Sequence, residues 1–201
     1  LYGSGRTDAG VHALEQVAHL DIITSIPAET PRRRVNDALP SDIHVLKMEL
    51  AQRKFHARHD AVSRSYLYHI SRRRTAFAKQ FVWWVRDDLD LEKMRATAER
   101  FSGMKDFRSF TDDSADDKST VVAIERIEVA EDGDLVVVRV EGSHFVWKMV
   151  RRMVGVMVDV GVGGTTVDEA ATFLREDSGI PATLTAPASG LFLERVYYRG
   201  E

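Results

Sequence analysis

The feature that most constrains the fold is a hairpin pattern followed by an apolar helical pattern in the second half of the chain. Residues 120–130 and 135–141 alternate as strands do, and the Asp-Gly pair at 132–133 is typical of a hairpin turn. Residues 145–160 (FVWKMVRRMVGVMVDV) follow with the apolar spacing of a buried helix and end in glycines. Together these segments predict an antiparallel sheet with helices packed on one face.

The other segments alternate between strand and helix patterns. Strands are predicted at 15–23, 43–50, 64–70 and 190–198, and helices at 30–39, 91–101 and 167–176. Three signals mark helix starts, namely Thr30 followed by proline, Asp90, and a capping box of Thr166 with Glu169. The fold class predicted from these patterns is α+β, with a mainly antiparallel sheet.

Composition narrows the class of protein. The 201 residues are 44% hydrophobic, which is enough for a buried core, yet no apolar run is long enough to span a bilayer. We expect a soluble protein without a signal peptide or membrane segment. The chain has no cysteine, so it has neither disulfides nor thiolate metal ligands, which fits a cytoplasmic location. It begins at Leu1 instead of a methionine, so we expect that the reading frame continues upstream.

Charge is unevenly distributed around a net value of −3. Basic residues cluster at 32–34, 53–54, 72–74 and 151–152, whereas acidic residues gather at 111–118. A surface that collects the basic clusters would bind a polyanion despite the negative total. The alternative is that these clusters are ordinary solvated faces, and the charge pattern alone leaves both interpretations open.

The loop at the start of the chain, GRTDAGVHA (5–13), holds a carboxylate between glycines. It lacks the Lys-Ser or Lys-Thr pair of a phosphate-binding loop and the following helix of a dinucleotide fingerprint. The nearby histidines, His12 and His19, have no companion ligands, which disfavours a metal site. Asp8 beside Arg6 suits a nucleophile or a general base, and it equally suits an Asx-turn within the loop.

This loop resembles the signature loop of the TruA family of tRNA pseudouridine synthases. Further segments that resemble the family follow in the same order: VNDALPSDI (35–43), FHARHDAVSRSYLY (55–68), DFRSF (106–110), FVWKMVRRMVG (145–155) and APASGLFLERVYY (186–198). The resemblance implies a pseudouridine synthase fold with two ferredoxin-like halves. Residues 1–58 would then be the remainder of the N-terminal half, which carries the catalytic loop, and residues 59–201 the C-terminal half. The family has a further strand and helix at its start that are absent here.

The resemblance also implies an activity. Members isomerise uridine to pseudouridine in the anticodon stem-loop of tRNA, at tRNA positions 38–40, without a cofactor or a metal. Asp8 matches the nucleophile, Arg6 the arginine that pairs with it, Tyr66 the first tyrosine of an Arg-x-Tyr-x-Tyr segment, and Arg151 a basic residue that reaches Asp8. A homodimer is implied as well, and Phe81, Trp83 and Trp84 are candidates for its interface or for the core.

Further residues are candidates for binding the substrate. They are Tyr66, Arg58, Arg64, Lys148 and Arg152. The residues by themselves allow simpler interpretations, in which Tyr66 is a core tyrosine and the three basic residues at 148, 151 and 152 form the solvated edge of a core helix. His12 is interpreted as structural. Two alternative functions remain open, a non-catalytic RNA-binding module and a carboxylate-based nucleoside hydrolase.

Overall fold

The structure is a computed structural model, and it describes residues 1–112 and 119–200. The strands are β1 Tyr2–Gly3, β2 His12–Ala13, β3 Ala18–His19, β4 Ala61–Ser71, β5 Trp83–Trp84, β6 Gly103–Asp106, β7 Val121–Asp132, β8 Leu135–Gly142 and β9 Leu191–Tyr198. The helices are α1 Glu29–Ala38, α2 Leu91–Phe101, α3 Met149–Gly161, α4 Val167–Thr172 and α5 Ile180–Thr183. Short 3-10 turns lie at Arg108–Phe110 and Ala188–Gly190.

One seven-stranded sheet organises the molecule. Its order is β2-β9-β4-β8-β7-β6, and β5 pairs with β4 beyond the end of β9. The long strands pair antiparallel, while the two-residue strands β2 and β5 pair parallel with their neighbours. Strands β1 and β3 form a separate two-stranded sheet. The predicted α+β class with a mainly antiparallel sheet is therefore confirmed.

The core lies between one face of this sheet and the helices. Alternate residues of β8 face it (Val136, Val138 and Val140), and α3 is buried along nearly its whole length. Helix α2 packs against α3, α4 and β7. The predicted cap of α2 is present, because the Asp90 carboxylate accepts the backbone N–H of Lys93. The capping box of α4 is also present, although that helix ends at Thr172 and not at 176.

Two predicted boundaries in the second half shift for local reasons. The hairpin turn lies at 133–134, one residue later than predicted, because Asp132 pairs with Leu135 and Gly133 adopts a φ of 57°. Helix α3 begins at Met149 and not at 145, because Lys148 has a left-handed backbone with φ 63° and ψ 0°. Residues 145–148 therefore form a loop before the helix.

The first half departs most from the sequence prediction. The predicted strand at 15–23 is wrong except for β3, and 43–50 contains no strand. An alternating segment forms a strand only where a neighbouring strand supplies backbone hydrogen bonds. Leu46 and Leu50 are exposed, so the apolar side of 43–50 does not pack on the core either. Helix α1 follows Ala28 and has no side-chain cap, so the predicted cap at Thr30 is wrong. The helix buries no residue and is held through Asn36, whose amide bonds both backbone groups of Val45.

Three further predictions concern the division into domains, the acidic segment and membrane-spanning helices. The division into 1–58 and 59–201 stays a prediction, although β2 from the first part pairs with β9 from the second. Part of the acidic segment, 113–118, lies outside the described residues. No helix within the described ranges is long and apolar enough to cross a membrane.

Candidate active site

A tight turn presents Asp8. Its backbone carbonyl accepts the N–H of Val11 at 3.0 Å, and Gly10 at the third turn position has a φ of 80°, a conformation that favours glycine. A Cβ at Gly10 would lie 3.5 Å from the Cβ of Ala188, so the turn rests against the segment that precedes β9. The chain then enters β2, which pairs with β9. Contacts with Ala188 and pairing with β9, both near the C-terminus, therefore set the position of Asp8.

Two side chains from one short segment hold the Asp8 carboxylate. Arg151 Nη1 donates to Asp8 Oδ2 at 3.1 Å, and Trp147 Nε1 donates to Asp8 Oδ1 at 2.9 Å. The side chains of Asp8 and Arg151 are 27% and 17% exposed, so their ion pair is partly shielded from water while the carboxylate remains reachable. Arg6 is exposed and its side chain makes no ion pair with Asp8 in this structure, so its catalytic role stays a prediction. Arg151 makes the contact with Asp8 that the resemblance implies.

The Arg151 side chain is itself fixed by the loop that precedes β9. Its Nε donates to the carbonyl of Ala186 at 2.8 Å, and the Ala186 N–H donates back to the Arg151 carbonyl at 3.1 Å. The hydroxyl of Tyr68 donates to the carbonyl of Pro187 at 2.7 Å and secures the same loop from β4. The Nε of Arg151 therefore fixes its side chain to the loop, and Nη1 contacts Asp8.

Tyr66 lies on β4 between Val140 of β8 and Leu193 of β9. Its ring meets that of Phe145 edge-on, with centroids 5.0 Å apart. Burial raises the pKa of its hydroxyl, the nearby Asp8 carboxylate adds to this rise, and the Arg64 guanidinium opposes it. The phenol therefore stays protonated at neutral pH and is available as a hydrogen-bond donor near Asp8.

The predicted substrate-binding cations differ in availability. Arg58 is exposed, whereas Arg64 donates to the carbonyls of Ser143 at 3.0 Å and Arg58 at 2.9 Å. Burial lowers the pKa of Arg64. Lys148 and Arg152 both pair with Asp112. The simpler interpretation of Lys148, Arg151 and Arg152 as a solvated helix edge does not fit, because Lys148 precedes the helix and the Arg152 side chain is only 4% exposed.

The two arginine triplets are partly neutralised by neighbours. Arg32 and Arg33 pair with Glu29, which holds the pKa of that carboxyl at about 2. Arg72 pairs with Glu131, and Arg73 pairs with Asp134. Arg34 and Arg74 have no ion-pair partner among the described residues, although the Arg74 guanidinium lies 5.4 Å from the Trp84 ring centroid. Each triplet thus leaves one unpaired cation for an external anion.

His12 and the segment at 81–84 border the motif loop. The His12 Nε2 lies 3.0 Å from the carbonyl of Gln80, and its ring stacks on Phe192, in agreement with a structural role. Trp83 packs against the core, while Phe81 and Trp84 are 46% and 41% exposed. Within the described residues, no group of three or more His, Asp or Glu side chains is placed to hold a metal ion.

Comparison with known proteins decides the family. Residues 97–199 match the family model described as tRNA pseudouridine synthase. The tRNA pseudouridine synthase A of Limosilactobacillus reuteri is 39% identical over 202 residues, which cover 98% of this chain and 79% of that protein. The enzyme of the same name from Clostridium botulinum is 34% identical, over 98% of this chain and 81% of that protein. This chain belongs to the tRNA pseudouridine synthase A family.

Membership in the tRNA pseudouridine synthase A family, a family of isomerases, confirms the resemblance drawn from the motifs. Sequence reasoning missed three residues of the site. The sequence patterns place Trp147 in a core helix and Asp112 in an acidic run, and Ala186 contributes only its backbone. The one available signal was that all three lie within or beside segments that resemble the family.

Proposed function

We propose that this protein converts uridine to pseudouridine in the anticodon stem-loop of tRNA, at positions 38–40, with Asp8 as the nucleophile or base. The observation that supports this most directly is the Asp8–Arg151 ion pair, in which a reachable carboxylate is kept close to a fixed guanidinium. A carboxylate can attack carbon or accept a proton, and the contact with Arg151 fixes where this one lies. We propose that the protein acts in the cytoplasm.

The reaction breaks the N1–C1′ bond of uridine and forms a C5–C1′ bond, while the C5 proton is lost and N1 gains one. The substrate and product are isomers, so no oxidant, water or second substrate is consumed. Asp8 serves either by adding covalently to the sugar or base, or by accepting the C2′ proton on the path to a glycal. Arg151 holds one carboxylate oxygen in place through its 3.1 Å hydrogen bond.

Tyr66 and the exposed cations complete the proposed site. The target uridine has to leave its stack before Asp8 can reach it, and the Tyr66 ring offers a surface for the extruded base. Its protonated hydroxyl is suited to donate to a base carbonyl. Arg58 is the exposed member of the predicted RNA-binding set and is proposed to contact a phosphate.

The decisive test uses tRNA labelled with tritium at C5 of uridine. The protein is expected to release tritium, and Asp8→Asn is expected to release none while its affinity for tRNA stays within several-fold. Asp37→Asn is a matched control, because Asp37 is an exposed carboxylate on α1, a helix that buries no residue. Free uracil instead of tritium would indicate a hydrolase. Binding without either product would indicate a non-catalytic RNA-binding module.

We further propose that the protein is a homodimer in which Phe81 and Trp84 contact the partner. Both side chains are exposed apolar surface on one short segment, and within the described residues β5 pairs with β4 alone. Light scattering at micromolar concentration is expected to give twice the mass of the chain, and Phe81→Ser is expected to lower it. A monomer that is active on tRNA would contradict the dimer.

A further inference from the structure

The Asp8 carboxylate has a second donor that the proposed chemistry does not use. The Trp147 indole N–H donates to Oδ1 at 2.9 Å, while Arg151 occupies Oδ2 at 3.1 Å. With both oxygens held, the carboxylate cannot turn about its Cβ–Cγ bond without breaking a contact. We propose that Trp147 is a positioning residue that fixes the orientation of Asp8 for its reaction with uridine, an inference that rests on the proposed function.

The backbone next to Trp147 is strained in a way that fits this role. Lys148 has φ 63°, and it is the only non-glycine residue with positive φ in the described part of the chain. That conformation brings Cβ close to the carbonyl oxygen, and it therefore raises the free energy of every residue that has a Cβ. Such strain persists only where surrounding contacts enforce it, and it is concentrated at functional sites. Here it lies between the two residues that hold Asp8.

The indole is also supported from its face. The Lys148 ammonium lies 4.2 Å from the centroid of the Trp147 ring, a cation–π contact. The same ammonium is anchored by Asp112 Oδ2 at 2.9 Å, and Asp112 in turn pairs with the buried Arg152. Trp147 is 47% exposed, so burial does not hold it in place. Its N–H edge and one face are instead fixed by named polar partners.

Orientation matters because Asp8 must direct a lone pair at one atom of the nucleotide. A side chain held within a small angle of the reactive geometry avoids the entropy loss of being ordered during the reaction. Each carboxylate oxygen keeps a lone pair after accepting one hydrogen bond, so the two donors do not block reaction. The predicted consequence of losing the N–H is a slower chemical step with unchanged binding of tRNA.

The test compares Trp147→Phe, which keeps an aromatic ring without the N–H, with Trp147→His, which keeps a ring N–H. In single-turnover reactions at saturating tRNA, Trp147→Phe is expected to slow pseudouridine formation about 10- to 100-fold, with affinity for tRNA within about threefold. Trp147→His is expected to recover a substantial part of the rate. Tyr2→Phe is the control, because it removes a polar group from an exposed aromatic residue outside the site.

An optical readout tests the contact without activity. Asp8→Ala removes the acceptor and is expected to change the tryptophan emission, and the change should vanish when Trp147 is already phenylalanine. If the protein makes no pseudouridine, the proposed function fails while the emission change still reports the contact. A normal rate in Trp147→Phe would overturn the positioning role. A loss of tRNA affinity at an unchanged rate would overturn it too and assign the indole to RNA binding.

Discussion

Gly155 allows α3 to lie directly against the loop that orients Arg151, and replacing it by alanine tests that arrangement. A Cβ at Gly155 would lie 1.7 Å from the carbonyl oxygen of Leu184 and 3.2 Å from the nitrogen of Ala186. The oxygen would have to move by at least about 1.7 Å to reach an ordinary contact. Because both obstacles are backbone atoms, no rotamer change relieves the clash.

The expected cost follows from the contacts that the shift disturbs. Overpacking a buried site costs about 1–3 kcal/mol. The two hydrogen bonds between Arg151 and Ala186 contribute about 0.5–1.5 kcal/mol each. Alanine returns about 0.5–1 kcal/mol through its better helix propensity. We therefore expect Gly155→Ala to lower the free energy of unfolding by about 3 kcal/mol, which lowers Tm by roughly 6–12 °C.

Activity should fall further than stability explains, because the displaced loop carries the carbonyl that fixes Arg151. A shift of about 1 Å at a positioning group costs on the order of 100-fold in rate. Urea unfolding and tritium release from labelled tRNA, both at a temperature where the variant is folded, measure the two effects. Gly179→Ala is the control, because a Cβ there meets nothing within 4 Å and its φ is −79°. A Gly155→Ala protein with normal stability and rate would refute the reasoning.

Three further predictions concern charges and strain. Asp112→Asn should lower the free energy of unfolding, measured with urea, by about 2–3 kcal/mol, because it leaves the buried Arg152 without its carboxylate partner. Lys148 and Arg152 lower the pKa of Asp112, so the stabilisation by its carboxylate is present above about pH 4 and is lost as the pH falls further. The free energies of unfolding of wild type and Asp112→Asn should therefore converge in acid. Lys148→Val should unfold about 1 kcal/mol more easily than Lys148→Gly, which accepts the left-handed backbone. Arg74→Ala should lower the slope of log affinity for tRNA against log salt by about 0.9, while Arg73→Ala, already paired, should not change it.

The fold was predictable where local pattern and pairing agree. Strand β4 and the β7–β8 hairpin have alternating side chains and lie between or beside other strands of the sheet, so their alternation separates core from surface. Residues 43–50 have the same alternation, but no strand among the described residues pairs with them and they form no strand. The sequence pattern reports which residues prefer to be strands, whereas pairing depends on partners that are distant in the chain.

The candidate site was predictable only through resemblance. Asp8 and Arg151 are 143 residues apart, and no local pattern relates them. Adjacency suggested Arg6 as the partner of Asp8, but neighbouring residues in a glycine-rich loop need not face each other. Periodicity suggested a solvated Arg152, yet its carboxylate partner Asp112 lies 40 residues earlier and lets the guanidinium be buried. In both cases the local sequence pattern does not show which charged residues pair across long separations in the chain.

The break before α3 is what allows one short segment to hold both oxygens of Asp8. In a helix that ran continuously from 145, as the apolar spacing predicts, Trp147 and Arg151 would stand one turn apart on one face with both side chains leaning the same way. The left-handed Lys148 releases Trp147 from the helix direction while Arg151 stays in the first turn. A continuous helix would preserve the apolar pattern and lose this clamp. The local rule is therefore broken at the position where the proposed chemistry needs two donors, which is where such exceptions are expected.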